Sequence, residues 1–272
     1  PYAVRRQRLL GQLALENQDF DGASKAYRQA VAQGQFSRFK DPETNLGLAQ
    51  ALISRGGERG LDARTRVEIN TTLSEVAKEH TNDAGLQVRA RLMKATSVAS
   101  SDPEMAAKLT EQAMARLEGM EQFLSADAAL AVAAQLKQLG QESAGAGILK
   151  SCAEIYGDDP VVMQGIARQT DDPEILSAGK AAIDLNLQGI RSYRAGKLGE
   201  AQDLFRQALA LQPKNISIAL NMAQSLLHVG VQNLDTASLL ECQNSLKMVG
   251  KMPDTDPRYD RYQKLRLRAF GE

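Results

Sequence analysis

The chain has 272 residues, of which 43% are apolar and only 4% aromatic, with no Trp. That length suffices for one extended domain or two small ones and for a substantial buried core. Its 33 basic and 33 acidic residues cancel, which argues against a whole-domain nucleic-acid binder, because phosphate contacts need a basic excess.

The apolar residues are mostly Ala and Leu, strong helix formers whose small member lets helices approach closely. Residues 4–34 read as a first helix pair, with Leu10–Gly11 at a helix contact and Phe20, Ala23, Tyr27 and Ala30 along one face of the second helix. Leu48–Ala49, Leu52 and Gly56 open another pair, whose second helix, about Leu61 to His80, is lengthened. Asp83 to Met120 predicts a degenerate pair broken at Ser100–Pro103, with Asp102 as N-cap and Pro103 at the first helical position. In Ala126 to Gly157, Val132–Ala133, Leu136 and Gly140 are followed in register by Gly145, Leu149 and Cys152. Asp159–Pro160 and Asp172–Pro173 repeat the Asp–Pro device and bracket a short helix, Val161 to Gln169, that fits no full pair.

The clearest unit is Ala182 to Asn215. Gly189 lies where two helices must touch, and Gly196 ends the first helix in the left-handed geometry that glycine tolerates. Ala201, Leu204, Phe205, Ala208 and Leu209 then share one helical face, and Pro213 stops the helix. Met222–Ala223, Leu226 and Gly230 start the last full unit, with an insertion around Val231 to Asp235 before its second helix. A final helix, about Arg258 to Phe270, is the solvating cap that a stack of helix pairs needs. No segment has a convincing strand period. The chain therefore groups as residues 1–157, an array of about four helix pairs, 158–181, an irregular helical joint, and 182–272, C-terminal pairs with a cap.

This spacing resembles the tetratricopeptide repeat (TPR) family, which has a period of about 34 residues, small residues at fixed contacts and a terminal Pro. The resemblance implies an all-α fold: a right-handed α-solenoid of antiparallel helix pairs, a TPR-like superhelix with a C-terminal capping helix. More narrowly, Ala182 to Leu227, with LNLQGIRSYRAGKLGEAQDLFRQALALQP and then ALNMAQSLL, is similar to the C-terminal TPR region of bacterial two-component response regulators. That likeness implies the output half of a signalling protein. The chain shows no receiver pattern of alternating strands and helices and no phospho-acceptor carboxylate at a strand end.

Motifs that carry chemistry elsewhere have simpler readings here. Asn17-x-Asp19-x-Asp21-Gly22 opens like a calcium loop, but the position that needs a bidentate Glu is Arg28; a turn before the second helix explains it. The glycine-rich Gly56–Gly57–Gly60 and 143–147 follow no strand, and Gly179–Lys180, Gly196–Lys197 and Gly250–Lys251 lack the rest of a phosphate loop. His80 and His228 have no Cys or carboxylate at metal-ligand spacing. Cys152 and Cys242 form no CxxC and read as two reduced, buried thiols, favouring a cytoplasmic location. Asp158–Asp159 and Asp171–Asp172 precede prolines and read as caps. Tyr259 and Tyr262 either close the core of the cap or stack on a base or peptide. The most apolar stretch, Ala126 to Leu136, contains Asp127 and Gln135 and is too short to span a bilayer. A chain beginning at Pro1 without Met reads as a fragment or processed product, and no signal peptide is visible. The expectation is no enzyme, no catalytic, cofactor or metal site, and no membrane insertion.

In the TPR family the inner, first-helix face holds an extended peptide or a partner helix. Carried over by register, that face here comprises Arg5, Arg8, Gln12, Gln50, Arg91, Lys137, Asn186, Ile190, Tyr193, Arg194, Asn221, Gln224 and His228. Asn186, Tyr193, Arg194, Asn221 and Gln224 form the leading group, since they mix amide, aromatic and cation in a way suited to a peptide backbone or carboxylate. The set of Lys and Arg seen in chaperone-binding TPR domains is incomplete, so chaperone tails are not implied. The expected function is a protein–protein interaction scaffold that binds a partner peptide or helix in a concave groove. The alternative is a self-assembling structural or adaptor module that associates through a solenoid end.

Overall fold

The computed structural model describes residues 2–37, 39–57, 60–81, 83–120, 124–250, 252, 256 and 258–271, the side chains of Ser37 and Ala178 excepted. Pro1 and Lys251 lie outside the described residues. Among those described, the chain is all helical, without a strand, and consecutive helices pack on one another from the first to the sixth and from the ninth to the last, in the manner of a helical repeat. In chain order the helices are α1 (Tyr2–Glu16), α2 (Phe20–Ser37), α3 (Pro42–Gly56), α4 (Ala63–Glu79), α5 (Ala84–Val98), α6 (Pro103–Leu117), α7 (Ala126–Gln138), α8 (Glu142–Tyr156), α9 (Pro160–Ala167), α10 (Pro173–Arg194), α11 (Leu198–Leu211), α12 (Ile216–Asn233), α13 (Thr236–Val249) and α14 (Tyr259–Phe270).

Local chemistry sets most of the helix starts. Asp41, Asp62, Asp83, Asp102, Asp159, Asp172, Asn215 and Asp235 each accept a backbone N–H from the first turn they precede. Each such cap is worth about 1 kcal/mol to its helix. Pro42, Pro103, Pro160 and Pro173 stand just inside the starts, where a missing N–H costs nothing. Gly140 and Gly196 turn the chain after α7 and α10 with φ of 73° and 77°.

Contacts divide the chain into two compact units, Pro1–Met120 with Ala131–Gly145, and Glu121–Leu130 with Ala146–Glu272. The first unit centres on Tyr27, which is 4% exposed and pressed between α1 and α3. A Cβ on Gly11 would lie 2.8 Å from its ring, and one on Gly47 would collide with the ring's other edge. Around it Leu46, Leu52, Ile69, Leu73 and Met93 close a continuous core. Arg28 and Glu68 bind each other through two hydrogen bonds, tying α2 to α4, and Arg89 and Glu43 do the same between α5 and α3.

The second unit repeats the arrangement. Phe205 is 1% exposed, and a Cβ on Gly189 would lie 2.6 Å from its Cε1. Leu220, Met222, Ala223 and Leu226 of α12, Cys242 and Leu246 of α13, and Tyr262 and Leu265 of α14 complete this core. Tyr262 thus closes the core of the last helix, and Tyr259 packs against the same cluster. One expectation is corrected here. Residues 231–233, expected in an insertion, continue α12, and Leu234 ends it in the left-handed region at φ 52°. Gly230 is used for contact rather than as a stop: a Cβ there would lie 2.6 Å from Cγ of Leu239.

Polar clasps hold the end of α8 to later elements of the same unit. Gln212 donates to the carbonyl of Ala153 at 3.0 Å, and Asn215 to Asp158 at 3.0 Å. Arg258 stacks over the Tyr156 ring at 4.7 Å while holding Asp256 through two bonds of 2.9 and 2.7 Å. Among the described residues no helix is long and apolar enough to cross a membrane.

Candidate partner-binding face

The leading residues lie on α10 and α12, and all but Arg194 share one hydrogen-bonded ladder. Asn221 Nδ2 donates to Asn186 Oδ1 at 2.8 Å. Gln224 Nε2 donates to the Tyr193 hydroxyl at 3.4 Å, and the Tyr193 ring meets the His228 ring edge-on at 5.7 Å between centroids. These side chains are one or two turns apart on adjacent helices, so the pairing of α10 with α12 sets them opposite one another.

The organising group comes from a third helix. Arg261 of α14 donates from Nη2 to Asn221 Oδ1 at 2.7 Å and to Gln224 Oε1 at 2.8 Å. Both amides therefore turn their oxygens toward the guanidinium and pass their N–H groups on, to Asn186 and to Tyr193. Burial pulls the Arg261 pKa down, and the nearby Tyr193 opposes that only in part. No described carboxylate pairs with Arg261. The face is thus rich in donors: the remaining guanidinium N–H groups and the Tyr193 O–H, which accepts from Gln224 and keeps its own proton to give. It suits a ligand that brings acceptor oxygens, above all an ionised one.

The expected residues differ in exposure and surroundings. Asn186 is 4% exposed, at the closed end of the ladder. Ile190 packs against the hydrophobic cluster around Phe205. His228 is half-buried with its Nδ1 unpartnered. Arg194 is exposed in the last turn of α10, where a cation suits the carbonyl end of the helix. In the first unit, Arg8 pairs with Asp41 at 3.1 Å, Arg5 lies over the Phe39 ring at 5.9 Å, and Gln12 is exposed on α1. Phe39 and Asp41, which Arg5 and Arg8 contact, line a cleft of about 300 Å³ together with Val4, Val31, Lys40 and Glu79. Gln50 bonds Ser54, and Arg91 bonds Gln87.

In the sequence Arg261 is one of a run of basic residues, with Arg258, Lys264, Arg266 and Arg268. No spacing points to it: Asn221 follows Asn186 by 35 residues, one repeat, but Arg261 follows Asn221 by 40, out of that register.

Other side chains singled out by type lie in a turn and in the core. Asp19 accepts from the Gly22 N–H at 2.9 Å, and the 17–19 segment is a turn into α2. Cys152 and Cys242 are buried, and burial pushes their thiols up to about 12 and about 11, with Asp127 adding to the shift at Cys152. Comparison with known proteins finds no family model and no curated protein that matches this chain.

Proposed function

We propose that the chain is an array of helix pairs of the tetratricopeptide type, that it is a scaffold without catalytic activity, and that it holds a partner peptide on the face shared by α10, α12 and α14. The repeat reading is supported by one contact recurring at one interval: Gly11 against Tyr27 and Gly189 against Phe205. The binding reading rests on the half-buried Arg261, which is held by two amide oxygens and lacks an acid among the described residues. A carboxylate of the partner supplies the missing charge, and its backbone carbonyls take the Tyr193 hydroxyl and the remaining guanidinium donors. The likeness of residues 182–227 to response-regulator output regions supports placing the scaffold in a bacterial signalling relay, in the cytoplasm.

The test is partner capture by the full chain carrying Arg261→Gln with Tyr193→Phe. Capture should fall by at least about tenfold, as for truncated interface anchors. Exposed Gln207 of α11 changed to Ala is the control. Capture lost in the control and kept in the double variant sinks the assignment.

One observation favours self-association as a second reading. Tyr2, Leu9 and Leu13 lie along one side of α1 and are 83%, 59% and 56% exposed. A concentration-dependent mass that Leu9→Glu with Leu13→Glu abolishes would support it, and a single mass at all concentrations would exclude it.

A further inference from the structure

In the first unit, α5 and α6 carry cations that no acid answers among the described residues. Arg91 and Lys94 stand a turn apart on α5, and both are half-buried. Arg91 Nη1 donates to the carbonyl of Gln87 at 3.2 Å and to its Oε1 at 2.8 Å. Gln87 is itself anchored on the end of α4, donating to the carbonyls of Ala77 and His80. Lys94 Nζ donates to Ser74 Oγ of α4 at 2.8 Å. From α6, Arg116 Nη2 donates to the carbonyl of Thr81 at 3.1 Å, just past the end of α4. All of these acceptors are neutral.

Other bonded cations of the unit are held by acids. Arg8, Arg28, Lys40 and Arg89 each have a carboxylate, and Arg89 is only two residues from Arg91. Here, by contrast, the charges oppose one another. Burial and then Arg116 pull the Arg91 pKa down, and burial and then Arg91 do the same to Lys94. The carbonyl end of α4 suits each cation singly, but it leaves three like charges on one strip.

We propose that Arg91, Lys94 and Arg116 form an oxyanion site of the phosphate class beside the end of α4. A phosphate dianion balances two of the three charges with one compact group. Its oxygens can also accept from donors on two helices at once. A single carboxylate would leave two charges unanswered. The site is separate from the face around Arg261 and does not depend on it.

Calorimetric titration of the full chain with inorganic phosphate, against chloride at equal ionic strength, tests this directly. Saturable binding is expected, weakened at least about tenfold by each of Arg91→Gln, Lys94→Met and Arg116→Gln, since each removes a charge-assisted hydrogen bond. Arg116 is exposed, so its variant carries the test even if a change at Arg91 disturbs folding. A second titration with a phosphoserine peptide and its unphosphorylated form identifies the carrier. Variant-sensitive binding of the phosphopeptide alone assigns the phosphate to a partner chain and upholds the site. No saturable binding of either probe, or binding unchanged in Arg91→Gln and Arg116→Gln, overturns it.

Discussion

Gly189→Ala is the sharpest probe of how the helices of the second unit meet. The new methyl would lie 2.6 Å from Cε1, 2.8 Å from Cδ1 and 3.1 Å from Cζ of Phe205, all on a ring that is 1% exposed. The ring cannot swing away without opening the core, so the helices must part. Overpacking of this kind costs about 1–3 kcal/mol. The better helix propensity of Ala returns about 1 kcal/mol, leaving a net loss of about 0–2 kcal/mol. Phe205→Leu alone should also destabilise, by about 1–2 kcal/mol, through the space left by the missing ring atoms. Leu lacks the atoms that would occupy the positions of Cε1 and Cζ, so in the double variant the methyl fills part of that space. The double variant should therefore be more stable than the sum of the singles by at least about 1 kcal/mol. Denaturant unfolding followed by circular dichroism measures all of these. Strict additivity would mean that Gly189 and Phe205 do not touch, and the repeat register built on that contact would fall with it.

Other consequences can be checked on the same protein. Cys152 and Cys242, buried and with thiols pushed up to about 12 and about 11, should resist alkylation at neutral pH and react fully once the chain is unfolded; rapid labelling of the native protein would contradict their burial. Burial holds the hydroxyls of Tyr27 and Tyr156 up at about 12, against an ordinary value near 10. Folding therefore favours their neutral forms, and that stabilisation, complete below pH 10, is lost as pH rises toward 12. Tyr27→Phe should reduce the alkaline loss of stability, and an unchanged alkaline profile in both this variant and Tyr156→Phe would refute the assignment. Asp256→Asn leaves the Arg258 cation without its carboxylate, the two side chains being 17% and 10% exposed for Arg258 and Asp256. Breaking a buried pair in this way costs about 3 kcal/mol, and a melting temperature equal to the parent's would show the clasp at the end of α8 to be dispensable.

What could be read from the sequence was what short segments decide alone. The Asp and Asn caps and the prolines behind them mark helix starts because a cap bonds to the turn it precedes. The Gly11–Tyr27 and Gly189–Phe205 pairs are readable because both partners recur at one interval within a helix hairpin. Gly230 was ambiguous for a physical reason: a glycine can end a helix or admit a neighbour, and only the position of Leu239 decides. Ile190 shows the same limit, since its side of α10 faces the core once α12 and α13 are in place. Arg261 lay furthest from sequence reasoning. It reaches Asn221 and Gln224 across an irregular connection that breaks the register, so its role depends on how α14 docks rather than on any local pattern.

The central claim is that Arg261 and the amides it orients receive a carboxylate-bearing peptide. The most direct measurement is a peptide selection against the full chain, followed by titration of the selected peptides with the parent and with Arg261→Gln. The account predicts peptides with a required Asp, Glu or free C-terminal carboxylate. It also predicts that their affinity falls at least about tenfold when that acid is made an amide, and again in Arg261→Gln, with no further loss when both changes are combined. Selected peptides that need no acid, or that bind Arg261→Gln as tightly as the parent, would contradict it.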